Sequence, residues 1–151
     1  MIRRLLELAQ DYPEAGAAAL YHEGMGVDEE MVSRIPVDTG RLRSTHYTAP
    51  PVEDRGGFVV EVGVATDYAA AVHERTEVRH PVGEAKFLEN ALHARAAGMG
   101  QRMANKIETY AANGVGVRAL SAKDARANTP RIHEGKVRKL RRTGRGRKGD
   151  R

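Results

Sequence analysis

Two places in this chain carry residue types that could do chemistry. Asp38-Thr39-Gly40 is the tripeptide with which an aspartic dyad shares one proton and activates water. A second copy of the chain would have to supply the second Asp. The flank argues against this use. Arg34 and Pro36 precede the tripeptide, and Arg41 and Arg43 follow it. Cations there lower the pKa that a shared proton needs raised. Val62-Gly63 is only a weak imitation of a downstream apolar partner segment. The plainer alternative is a turn, in which the Asp38 carboxylate accepts backbone N–H bonds and Gly40 takes a conformation other residues avoid.

The second place is His73, Glu74, Glu77 and His80. A zinc hydrolase sets two His four residues apart on one helix face, with Glu beside the first. Here the second His comes seven residues later, just before Pro81, and no third ligand stands at a diagnostic spacing. A surface or interface His pair suits the spacing better, and no metal or cofactor is implied. Gly114-Val115-Gly116 and Gly144-Arg145-Gly146 lack the Lys-Ser/Thr step of a phosphate loop. No Ser-His-Asp arrangement is apparent. The sequence therefore does not read as an enzyme.

Composition sets the bounds. The chain has 151 residues, room for one domain with a modest core. It has no Trp and only two Phe, so Ala, Val, Leu and Met must build that core. A core that thin points to stability shared with neighbouring subunits. The absence of Cys excludes disulfides, thiolate metal sites and Cys nucleophiles, and fits a reducing cytoplasm. No apolar run is long enough to span a bilayer, and the N-terminus is amphipathic rather than signal-like. No membrane partner is expected. The net charge of +5 hides a split. Residues 1–117 carry 12 Lys/Arg against 17 Asp/Glu, and residues 118–151 carry 13 against 3. A mildly acidic body thus carries a strongly basic arm, which calls for an acidic partner such as nucleic acid or a protein ring.

The elements that must position these residues follow from periodicity. Ile2, Leu5, Leu6 and Leu8 begin an amphipathic helix, and Pro13 interrupts it or opens the next one. Residues 14–34 read as helix, with a break expected at Gly24 and Gly26 and an end enforced by Pro36. Arg41 to Thr48 and Phe58 to Val64 read as the strands of an antiparallel hairpin with a long loop at 49–57. Asp67 is a candidate N-cap for a short helix from Tyr68 to His73. From Glu84 to about Ala112 runs the longest helical pattern, flawed at Gly98 and Gly100 and closed by Asn113-Gly114. Phe87, Leu88, Ala91 and Leu92 are assigned to the core and Lys86 to solvent. The expected fold is α+β: an N-terminal helical segment, an antiparallel hairpin or small sheet, a long packed helix and an extended basic arm. The domain occupies residues 1–117 and the arm residues 118–151.

Two segments carry a further signal. The first is Pro36-Val37-Asp38-Thr39-Gly40-Arg41-Leu42-Arg43-Ser44. The second runs from Asp67-Tyr68-Ala69 through His73-Glu74 to His80-Pro81-Val82-Gly83-Glu84-Ala85-Lys86-Phe87-Leu88-Glu89-Asn90-Ala91-Leu92. In this order, over roughly residues 15 to 110, they resemble the minor capsid or neck (head–tail joining, tail completion) proteins of long-tailed bacteriophages. The chain departs from that pattern at Glu74-Arg75-Thr76, where Arg stands in place of an expected Gly. The resemblance implies a structural virion protein of the connector, made in the host cytoplasm. It implies copies in a ring, with six favoured and twelve possible, between adjacent connector and tail-terminator proteins. Pro36, Val37, Asp38, Thr39, Gly40 and Arg41 would then be the family's turn. Tyr68, His73, Glu74 and His80 are candidates for an exposed interface element.

In the arm, Lys136, Arg138, Lys139, Arg141, Arg142, Arg145, Arg147 and Lys148 could neutralise several phosphates. No aromatic residue follows Tyr110, so any nucleic-acid contact would be with the backbone rather than with stacked bases. On charge alone, a solvated, solubilising arm is an equal alternative. The resemblance favours contact with packaged DNA or an adjacent ring. Two alternatives remain: a nucleic-acid-binding protein of cellular origin acting through the arm, and a dimeric aspartic hydrolase using Asp38.

Overall fold

A computed structural model of the chain describes residues 2–117. The arm and its eight named cations lie outside the described residues. The architecture is α+β, in the order α1 (Ile2–Asp11), α2 (Pro13–Arg34), a 3-10 turn (Arg43–Thr45), β1 (His46–Thr48), β2 (Val52–Asp54), β3 (Gly57–Val59), β4 (Val62–Val64), α3 (Ala69–Glu74), α4 (Phe87–Ala96) and α5 (Met99–Asn113). Among the described residues no helix is long and apolar enough to cross a membrane.

The centre of the molecule is α2. Proline at its first turn needs no N–H partner there, which lets Pro13 open the helix directly after α1. One end of α2 joins α1 and α5 through Ala15, Ala18, Ala19, Ile107 and Tyr110, with Leu5 and Leu8 packed alongside. The other end joins α4 and the hairpin through Val27, Met31, Ile35, Leu42, Phe87 and Ala91. Small alanines let the helices approach closely at the first end, while Met31 and Ile35, both fully buried, fill the second.

Gly24 and Gly26 do not break α2, contrary to the sequence expectation. They are contact points. A Cβ on Gly24 would lie 2.6 Å from Val60 Cγ1, and one on Gly26 would lie 2.5 Å from the Arg95 guanidinium. The helix gives up about 1 kcal/mol of propensity per glycine so that the hairpin and α4 can seat against its backbone.

The hairpin also differs from its expected form. Arg41 to Thr45 is turn and 3-10 structure, and only His46–Thr48 is strand. The expected long loop at 49–57 is largely paired. β1 pairs with β4 in the register His46↔Val64 and Thr48↔Val62, and β2 pairs with β3 as Val52↔Val59 and Asp54↔Gly57. The ladder slips by one residue where Pro50 and Pro51 stand opposite Val60. Two prolines lack the N–H that would continue the ladder, so the extra residue is accommodated as a bulge. The turn is Arg55-Gly56, both at positive φ (49° and 79°), which is the two-residue I′ geometry that matches strand twist.

The long helical pattern after Glu84 is two helices. Ala97 is extended and Gly98 has φ 72°, so the chain turns between α4 and α5. That turn redirects Ile107 and Tyr110 onto α1 and α2. Phe87 and Ala91 are buried as expected and Leu88 is half-buried against them, but Leu92 is 48% exposed. It lies about 100° around the helix from buried Ala91. Lys86 is not freely solvated either. It caps α4 in a left-handed conformation and binds Glu74.

Candidate functional site

The two segments that carry chemistry-bearing residues are brought together by the backbone. The Val37 N–H donates to the Val82 carbonyl at 3.3 Å, and the Glu84 N–H donates to the Arg34 carbonyl at 2.9 Å. Between these bonds sits Gly83, at φ 84°. A Cβ there would lie 2.5 Å from Pro36 N, so only glycine fits on both conformational and steric grounds. Side chains tie the same junction. Arg34 donates from Nη1 to Glu84 Oε1 at 2.8 Å and from Nη2 to Glu30 Oε1 at 2.6 Å. The guanidinium holds the Glu84 carboxyl below the usual carboxylate range.

Asp38, Thr39 and Arg41 are exposed at this junction, while Pro36 is buried. The turn is closed by Gly40, whose carbonyl accepts the Ser44 N–H at 2.9 Å and whose φ is 79°. The oxygen that accepts the Arg41 N–H, at 3.5 Å, is Thr39 Oγ1. The threonine hydroxyl therefore fills the accepting role that the sequence reading gave to the Asp38 carboxylate. The chain then returns inward: Leu42 is buried, and Arg43 Nη2 donates to the Ile35 carbonyl at 3.2 Å.

The second segment splits by burial. Tyr68 and Glu74 are exposed, as an interface element would be. His73 departs from that expectation. Its ring packs edge-on against Phe87 with centroids 4.8 Å apart, and its Nδ1 lies 2.8 Å from Glu74 Oε1. The imidazole thus anchors α3 onto α4. Glu74 also binds Lys86 Nζ at 2.5 Å, and the Lys86 N–H donates to the His73 carbonyl at 2.7 Å. Lys86, and then His73, hold the Glu74 carboxyl below its ordinary value. His80 is half-buried. The N-cap position of α3 is Tyr68 rather than Asp67, and Tyr68 makes no side-chain cap bond. Among the described residues no three His, Asp or Glu side chains are grouped so as to hold a metal ion.

Sequence reasoning missed two buried carboxylates on α2. Glu23, 3% exposed, receives Arg102 Nη2 at 2.9 Å and Arg95 Nη2 at 3.4 Å. Burial raises its pKa, but the two guanidiniums outweigh burial and the net shift is downward. Asp28, 4% exposed, pairs with His46 Nδ1 at 2.8 Å. For Asp28 burial prevails over the imidazole, and its pKa is raised. The only signal was their i, i+5 spacing within an apolar stretch of α2, which periodicity alone assigns to no single face. Glu23 ties α2 to α4 and α5, and Asp28 ties it to the hairpin, so these pairs position the exposed segments rather than act in them.

Compared with protein-family models, with characterised proteins and with solved structures, the chain matches none.

Proposed function

We propose that this protein is a structural subunit of the head–tail connector of a long-tailed bacteriophage, acting in the virion by binding rather than by catalysis. Copies would close a ring, six favoured and twelve possible, between the DNA-filled capsid and the tail. The observation that carries this reading is the junction of its two motif segments. Pro36-Val37 and Val82-Gly83-Glu84 join through paired backbone bonds and the Arg34–Glu84 contact. The junction presents Asp38, Thr39 and Arg41, and exposed side chains on the same chain segments include Tyr68, Glu74 and Val82. Exposed polar and apolar groups on a tied-down scaffold suit subunit packing.

The test is electron microscopy of particles assembled without this protein and then supplied with it. Filled heads beside free tails that join on addition are the expected result. Normal, infectious particles without it would refute the neck reading. The charge split favours a second reading, a nucleic-acid-binding protein acting through its basic arm. That reading requires tight duplex binding at low salt that vanishes at high salt.

A further inference from the structure

The hairpin and the 75–82 loop expose patches of opposite character. Along β3 and β4 successive side chains alternate between faces. Val60 and Val62 face α2, where they approach Gly24. Val59 and Glu61 therefore point the other way, as does Val52, which is paired with Val59, and Asp54 two residues on. Val52 is 58% exposed and Val59 51%. The outer face is thus an apolar pair flanked by the exposed carboxylates of Asp54 and Glu61, with one cation, Arg55, at the tip. Glu61 also accepts the Tyr47 hydroxyl, which fixes its direction.

The loop between α3 and α4 is the counterpart. Val78 is 43% exposed and Val82 52%. The same loop exposes Arg75 and Arg79 and one carboxylate, Glu77. Each segment exposes two valines with a small excess of one sign of charge, and the signs are opposite.

We propose that the outer face of the hairpin of one copy docks on the 75–82 loop of the next copy. The valine pairs would form the centre of the contact and Asp54 and Glu61 would meet Arg75 and Arg79 at its rim. The occupant of the hairpin face is a second copy because the loop supplies both an apolar centre and complementary charge. Residues 118–151 also carry cations and apolar side chains, and their binding to this face is one outcome of the test. A contact between two different patches is head-to-tail, the kind that closes rings or extends filaments. This inference deepens the assembly reading above and rests on it.

The test uses two full-length variants whose folding is verified by circular dichroism. One is Asp54→Lys with Glu61→Lys, and the other is Arg75→Glu with Arg79→Glu. The wild-type protein should self-associate in sedimentation velocity, and each variant alone should associate at least about tenfold more weakly, because like charges now meet. Mixing the two variants should restore association, since each reversed patch then finds an opposite partner on the other. Val59→Asp, which leaves the flanking charges in place, should also weaken association. A wild-type protein that stays monomeric at every concentration overturns the pairing, and so does association indifferent to both reversals. Loss of association with the hairpin reversal alone, while the loop reversal is silent, would give the acidic face to another basic segment, residues 118–151 included. That result also overturns it. The connector reading is judged separately by the particle add-back, so the two can fail independently.

Discussion

Arg34 and Glu84, 50 residues apart in sequence, meet at 2.8 Å, one residue beyond the point where Gly83 lies against Pro36. The contact joins the end of the central helix to the loop that precedes α4. Its carboxylate is the more informative partner, because its protonation can be followed.

Glu84, Glu74 and Glu23 all have lowered pKa values in the folded protein, held there by Arg34, by Lys86, and by Arg102 against burial. A carboxylate depressed on folding contributes stability that is present above its unfolded value, 4.5 for Glu, and lost as pH falls through its folded value. Thermal stability should therefore fall on acidification below about pH 4.5. Glu84→Gln should be less stable than wild type at pH 7 and should lose less between pH 5 and pH 3. Parallel melting curves for the two proteins across that range would show that the pair contributes nothing.

Asp28 should behave oppositely. Burial raises its pKa above the ordinary 3.8, so its contribution is greatest below that value and declines as pH rises through the folded pKa. In wild type this slope opposes that of the three glutamates. Asp28→Asn, which keeps an oxygen acceptor for His46, should steepen the gain in stability from pH 3 towards neutrality. A chemical-denaturation series against pH measures this directly, and a flatter curve would contradict the burial argument.

Gly83→Ala should cost about 1–3 kcal/mol from backbone strain alone, with further loss from the overlap with Pro36. Urea unfolding is the check. A midpoint equal to wild type would mean that the two segments are not in contact.

Gly24→Ala separates two principles that pull in opposite directions. Helix propensity alone would favour alanine by about 1 kcal/mol. The Cβ would lie 2.6 Å from Val60 Cγ1, and a β-branched side chain packed on a helix has little room to turn aside. Overpacking of this kind costs about 1–3 kcal/mol, so the variant should be destabilised on balance. A stabilised variant would show that the hairpin does not press on α2.

Much of this fold was legible in the sequence, and the failures share a cause. Pro13, Pro36 and Asn113-Gly114 mark helix ends through local backbone chemistry, and each does so in the structure. Gly24 and Gly26 were misread because their reason is tertiary: propensity sees a missing side chain and not the neighbour occupying its place. The strand pairing from Val52 to Val59 was missed because Pro50-Pro51 reads as a stop, whereas a bulge lets the ladder resume one residue later. At the candidate site, the two motif segments were visible as sequence but their junction was not. It depends on backbone bonds between Arg34, Val37, Val82 and Glu84, and backbone groups carry no sequence signature. His73 was taken as exposed because a His-Glu pair looks polar, while its ring was available to pack on Phe87.

The Gly83–Pro36 junction also bears on how tightly a partner could hold this protein. Segments 36–42 and 75–86 contain no regular secondary structure, yet each is tied to the other and to the central helix. A free loop surrenders roughly 1–2 kcal/mol of backbone entropy for every residue ordered on binding. Here much of that ordering is already complete before any partner arrives. Loosening the junction would therefore weaken binding at residues that never touch the partner, and would do so chiefly through entropy.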